Sequence, residues 1–224
     1  MQLFDKMHIE LKLDDVQKKI HFEEPKRVQP LIDTALRLVD PKAVYAVAYP
    51  EAKTENAVVI AGSLYQSTVL RKNLEGVNRV FPFVVTIGEQ LEAETGRLED
   101  FLDTYLLDKI GDLILRQARQ QFQEHLQTRY ALQNLSRMSP GSLPDWPIEE
   151  QKKLFALLGD VQGVLGVRLN ESLLMLPRKS VSGLFFPTEI SFYSCQLCPR
   201  SNCEARKAAY NEDKAKEYGV LPEP

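Results

Sequence analysis

The sequence predicts an α+β fold, a mainly antiparallel twisted sheet with helices packed around it. Three observations carry that expectation. Short runs rich in valine, phenylalanine and tyrosine lie between amphipathic stretches, the pattern of strands set among helices. These elements interleave without clear βαβ units, which argues against a parallel sheet. One stretch, residues 98–133, is much longer than the others and keeps a single apolar stripe.

The elements can be justified in order. Residues 14–20 (DDVQKKI) predict a short helix with an acidic first turn. Residues 25–39 predict a stronger one, with Val28, Leu31, Ile32, Ala35, Leu36 and Val39 on one face and Pro41 beyond its end. Strands are expected at 44–49 and 57–61, separated by the polar residues 51–56, and at 81–87, ended by Gly88. Residues 64–74 are mixed and fit a helix or an edge element. In the long helix Leu102, Leu106, Ile110, Ile114, Ala118, Phe122 and Leu126 recur every fourth residue, a slowly drifting core stripe. A loop with Pro140, Gly141 and Pro144 follows at 136–146, then a helix opened by Pro147 and running to about Leu158, then a turn and strand at 165–176. In 180–206, Ser180-Val181-Ser182-Gly183 reads as a small-residue turn before the apolar Leu184-Phe185-Phe186, and 190–193 as a half-buried strand. The charged tail 204–218 reads as helical, and the final LPEP as frayed.

Composition bounds the function. The 224 residues suffice for one domain with a real core. A net charge of −3 argues against a nucleic-acid partner. No apolar run approaches the ~20 residues of a membrane span, and the acidic start lacks an export signal. A cytoplasmic, reducing location is therefore expected, where three clustered cysteines are not a disulfide framework. His8, His21 and His125 are isolated, Trp146 between two prolines reads as packing, and no phosphate loop, nucleophile elbow or metal-binding helix is present.

Three stretches together resemble a known family. LNESLLMLPRKSVSGLFF is similar to the LTESxAMxPxxSVSGxxF stretch of the activation domain of cobalamin-dependent methionine synthase, and Tyr193 lies where that family has a tyrosine downstream. Arg137-Met138-Ser139-Pro140-Gly141 is similar to the family's Arg-x-x-Pro-Gly loop, and DKIGD at 108–112 resembles its helix segment ending in a ligand-facing carboxylate. TIGEQLE and LLDKIG resemble short, free-standing members without the catalytic modules. The resemblance covers most of the chain beyond about residue 80 and is weak in 1–80, and it implies one domain over residues 1–224 with 195–206 as a cysteine-containing insertion.

The resemblance implies that the chain binds S-adenosylmethionine over a cobalamin carried by a partner, a corrinoid-dependent methyltransferase. A donor such as flavodoxin or ferredoxin reduces cobalt(II), and the sulfonium methyl passes to cobalt. That service needs positioning more than acid–base groups. It implies Arg137 on the ligand's carboxylate, Ser139 and Gly141 in close backbone approach, Tyr193 beside the ligand and Asp112 at its amino group. Each has a plainer reading: a surface arginine, an ordinary loop glycine, a buried strand tyrosine, and an Asp112–Arg116 pair at i,i+4. Ser142 stands where the family has tyrosine, which removes an aromatic wall.

The cysteines depart from that family. Cys195-x-x-Cys198-x4-Cys203 places three thiols in one loop, which suits an iron–sulfur cluster with one iron open, zinc with an outside ligand, or three reduced structural cysteines. Two other function classes stay open on this scaffold: a corrinoid-protein-binding module that does not use S-adenosylmethionine, and a metal- or redox-sensing protein.

Overall fold

A central five-stranded sheet, antiparallel throughout, divides the chain into layers. The structure is a computed structural model and describes residues 1–203 and 206–220; the LPEP tail and the start of the predicted C-terminal helix lie outside them. In chain order the elements are β1 (Gln2–Phe4), α1 (Leu13–Ile20), α2 (Pro25–Leu38), β2 (Lys42–Tyr45), β3 (Pro50–Lys53), β4 (Ala57–Ile60), β5 (Ser63–Gln66), α3 (Thr68–Asn73), β6 (Phe81–Thr86), α4 (Gln90–Thr95), α5 (Phe101–Tyr130), β7 (Leu135–Met138), α6 (Gln151–Leu158), α7 (Val161–Leu165), β8 (Arg168–Leu169), β9 (Met175–Leu176), β10 (Ser180–Pro187) and α8 (Glu212–Tyr218). The main sheet runs β1-β2-β6-β10-β7, β3-β4-β5 form a smaller sheet, and β8-β9 a short hairpin.

The apolar periodicities explain the layers. All six residues of β6 are buried, because both faces of that strand are covered. Phe81, Phe83 and Val85 of β6 and Phe185 of β10 pack with α1, α2 and α5. Leu106, Ile110, Ile114, Ala118, Phe122 and Leu126 fill that layer, and Leu102 is only partly buried at its edge. Alternate residues point the other way: Val44 and Val84 meet Leu158, Val161 and Leu165, while Leu184 and Phe186 join Trp146 and the smaller sheet. Trp146 is fully buried, as its packing role requires.

Several local expectations give way to tertiary context. Ser180-Val181-Ser182-Gly183 is not a turn but the first half of β10, paired with β6 from Ser180↔Thr86 to Phe185↔Phe81. Its hydroxyls do not need a turn, because each has a buried partner. Ser180 donates to the Pro177 carbonyl at 2.8 Å and meets the Thr86 hydroxyl at 2.9 Å. Ser182 donates to Gln151 Oε1 at 2.9 Å. Residues 190–193 form no strand. Pro187 ends β10, and the Phe192 N–H is taken by the Ser136 hydroxyl at 2.7 Å instead of by a ladder. The predicted 136–146 loop begins as strand β7, antiparallel to β10 through Leu184↔Met138 and Phe185↔Arg137. Residues 64–74 hold an edge strand and a helix, and the predicted break at 51–56 contains β3. The C-terminal helix covers only Glu212–Tyr218, capped by the Asn211 side chain.

Candidate functional site

The site is built where the edge strand β7 passes the C-terminal half of α5. Arg137 pairs with Phe185 across the ladder, so it shares a sheet face with the α5 layer. Ser139 follows directly after β7 and donates its hydroxyl to the Ser182 carbonyl at 2.6 Å. That contact is tight because β10 has glycine next. A Cβ on Gly183 would stand 2.3 Å from the Met138 carbonyl and 2.8 Å from the Ser139 hydroxyl. The chain then turns. The Ser142 hydroxyl and N–H both bond the Ser139 carbonyl, at 2.6 and 3.1 Å. Gly141 takes a positive φ of 77°, a conformation that costs glycine little, and its N–H donates to the Trp146 carbonyl at 2.8 Å. Asp145 fixes the far side of this loop by accepting the N–H groups of Thr68 and Val69 at 3.0 Å and the Ser67 hydroxyl, which caps α3.

Between these parts lies a cavity of about 610 Å³, lined by Arg119, Gln123, Glu124 and Gln127 of α5, by Arg137, Ser139 and Ser142, and by Tyr193, the three cysteines, Arg200 and Lys207. The volume suits a small organic ligand. Among the predicted residues Arg137, Ser139, Tyr193, Cys195, Cys198 and Cys203 all line this one space. Tyr193 is 41% exposed and stands on a 3-10 turn (Ser194–Leu197) rather than on a strand. Gly141 does not line the cavity; its neighbours Ser139 and Ser142 do.

Asp112 lies elsewhere. Its carboxylate accepts from Lys179 Nζ at 2.6 Å, and Asp108 meets the same ammonium at 3.0 Å. Its partner is therefore a buried lysine at the head of β10 rather than Arg116 one turn along the helix. It is not among the residues that line the cavity.

The electrostatics are one-sided. Burial pushes the Arg137 guanidinium down to about 9, and the neighbouring Arg119 adds repulsion while Cys195 opposes it. Desolvation lowers the Lys207 ammonium to about 8, and Arg119, Arg137 and Arg116 repel it further. Arg119 is lowered chiefly by burial, then by Arg116. At neutral pH these groups remain cationic, so the cavity is an anion-seeking space. Sequence reasoning missed Arg119 and Lys207, whose positions in a polar helix face and a charged tail carry no motif.

Arg206 was also missed, and it shapes the cysteine loop. Its guanidinium donates to the carbonyls of Cys195 and Ala208 at 3.0 Å, of Cys198 at 3.1 Å, and of Arg200. Cys195 Sγ accepts the Lys207 N–H at 3.4 Å. The three cysteines are free thiols. Among the described residues no three His, Cys, Asp or Glu side chains are gathered closely enough to hold a metal ion. Among the same residues no helix is long and apolar enough to cross a membrane.

Comparison with known proteins adds the family context. Residues 115–208 match the family model "Vitamin B12 dependent methionine synthase, activation domain", a span that takes in the second half of α5, β7, β10 and the cysteine loop. No curated protein matches the chain. Among solved structures, a crystal structure of the MetH reactivation domain bound to AdoHcy has the same fold, with a TM-score of 0.57 and 18% sequence identity over 95% of this chain and 78% of that one. The SVSG and Arg137 stretches, the family model and the fold agree: this chain resembles the activation domain of vitamin B12 dependent methionine synthase.

Proposed function

We propose that this chain binds S-adenosylmethionine in the Arg137 cavity and presents its methyl group to the cobalt of a corrinoid held by another protein. The partner is a corrinoid-dependent methyltransferase, methionine synthase foremost, whose cobalt has been oxidised to the inactive cobalt(II) state. The observation that carries this reading is the meeting of Arg137, Ser139 and Tyr193 at one cavity, although 56 positions separate the first from the last (193 − 137). The crystal structure of a protein of the same fold bound to AdoHcy supports it.

The residues present fit the ligand's carboxylate end. Arg137 is half-buried and has no carboxylate partner among the described residues, so a ligand carboxylate supplies the missing anion through a forked, charge-assisted contact. Ser142 in place of the family's tyrosine leaves the wall polar, and its hydroxyl closes the turn on Ser139 instead. Tyr193 provides an aromatic edge at the open side. The corrinoid is a substrate here rather than a resident cofactor. An outside one-electron donor, flavodoxin or ferredoxin, reduces cobalt(II). The methyl then leaves the sulfonium for the cobalt, and S-adenosylhomocysteine remains. The protein's part is in-line placement of a good leaving group against a strong nucleophile.

Titration calorimetry with S-adenosylmethionine tests the binding step. Wild type binds saturably, and Arg137→Ala loses about 2 kcal/mol, or about 30-fold in affinity. Absence of binding to folded wild type, or full affinity in Arg137→Ala, overturns the reading.

A further inference from the structure

Arg119 is a cation without a counter-ion. It stands on α5 and lines the cavity, half-buried. Among the described residues neither a carboxylate nor a hydrogen bond holds its guanidinium. Its own helix supplies no anion: Leu115, Arg116, Phe122 and Gln123, three and four positions away, carry no negative charge. Glu124, the one carboxylate among the described lining residues, is engaged by Gln120 Nε2 at 3.0 Å. Arg119 is the strongest repelling charge on both Arg137 and Lys207, so it sits among the cavity's cations rather than apart from them.

A ligand carboxylate on Arg137 compensates that residue and leaves Arg119 as it was. Arg200 and Lys207 are exposed, where solvent and salt screen them; half-buried Arg119 keeps more of its reach. S-adenosylmethionine and S-adenosylhomocysteine share the carboxylate, the ammonium and the adenosine, and differ only in the methyl group and the unit charge on sulfur. In the transfer the carbon–sulfur bond breaks with its electron pair left on sulfur, and carbon takes the pair that cobalt(I) offers. Sulfur thereby turns from a cation into a neutral thioether. A cation with no counter-ion raises the free energy of the sulfonium and leaves that of the thioether almost untouched.

We propose, resting on the reading that this cavity takes S-adenosylmethionine, that Arg119 makes it prefer the demethylated ligand. S-adenosylhomocysteine binds more tightly than S-adenosylmethionine, and the difference comes from the charge on sulfur. By the thermodynamic cycle the same factor favours methyl transfer from the bound ligand over transfer from the free one. The product then holds the cavity until it is displaced, so the ratio of the two ligands governs how often the site is recharged.

Titration calorimetry on the full chain tests this with three ligands: S-adenosylmethionine, S-adenosylhomocysteine, and sinefungin, whose protonated amine puts a positive charge beside the position of the sulfur. In ~0.01 M salt S-adenosylhomocysteine binds about 10-fold tighter than the other two, the scale of one unit charge in a partly shielded site. In ~1 M salt, where charges are felt over only ~3 Å, the gap closes. Arg119→Gln brings the ratio to within about 3-fold in the lower salt. If that variant does not fold, the salt series on wild type decides the question. Equal affinities, tighter S-adenosylmethionine, sinefungin that follows S-adenosylhomocysteine, a ratio indifferent to salt, or the wild-type ratio in folded Arg119→Gln each overturn the proposal while the reading of the cavity stands. Absence of binding by all three ligands sinks that reading and this proposal with it.

Discussion

Ser139 donates its hydroxyl to the Ser182 carbonyl at 2.6 Å, and this bond presses the Arg137 loop against the central strand β10. The same approach leaves no space at Gly183, where an added Cβ would meet the Met138 carbonyl at 2.3 Å. The cavity wall and the sheet are thus one packed unit, and changes to either reach the other.

Gly183→Ala therefore destabilises the protein. The clash is with backbone on the neighbouring strand, which cannot rotate away as a side chain would. A loss of about 1–3 kcal/mol is expected, read as a lower urea midpoint. A variant as stable as wild type shows that β7 and β10 separate more readily than their register implies.

Asp112→Asn leaves the affinity for S-adenosylmethionine unchanged. Asp112 belongs to the ion pairs that tie α5 to Lys179, so the change lowers stability instead. The loss stays near 1 kcal/mol, because Asp108 still meets the Lys179 ammonium. Calorimetry and thermal melting read the two effects separately, and weakened binding with unchanged stability returns Asp112 to the ligand site.

The pH dependence follows from Lys207. Its ammonium, lowered to about 8, is charged below that pH and neutral above it. A ligand carboxylate in the cavity is attracted only by the charged form. Affinity is therefore greatest below pH 8 and falls as pH rises through that value. Lys207→Met removes the Lys207 part of the decline and weakens binding below pH 8. An affinity that increases from pH 7 to 9 contradicts this assignment.

Arg206→Ala releases four carbonyls of the cysteine loop at once. The segment 195–203 loses its shape, and alkylation of Cys198 speeds up in the folded apoprotein while the melting temperature changes little. Unaltered labelling rates show that the loop holds its form by other contacts.

Much of this fold is legible in the amino-acid order. The spacing of Leu106, Ile110, Ile114, Ala118, Phe122 and Leu126 marks α5 and its buried face without ambiguity, and the apolar run of β6 announces a strand covered on both sides. Legibility fails where small polar residues find tertiary partners. Ser180 and Ser182 read as turn-formers, yet Thr86 and Gln151 satisfy their hydroxyls inside β10. Short strands were also hidden: β1 exists only through its pairing with β2, a relation that no local pattern encodes. At the site, Arg137 and Tyr193 are visible because family motifs carry them. Arg119 and Lys207 are not, because a cation on a polar helix face looks the same whether it meets water or a cavity.

Arg137 sits on β7, the last strand in the sheet order. A pocket placed at such a border has no further strand to disturb on its outer side. Segments that finish it, including the cysteine loop, can lengthen, shorten or change chemistry while the hydrogen-bonded interior keeps its register. The architecture thus separates what must be preserved for folding from what is free to be rewritten for a new guest.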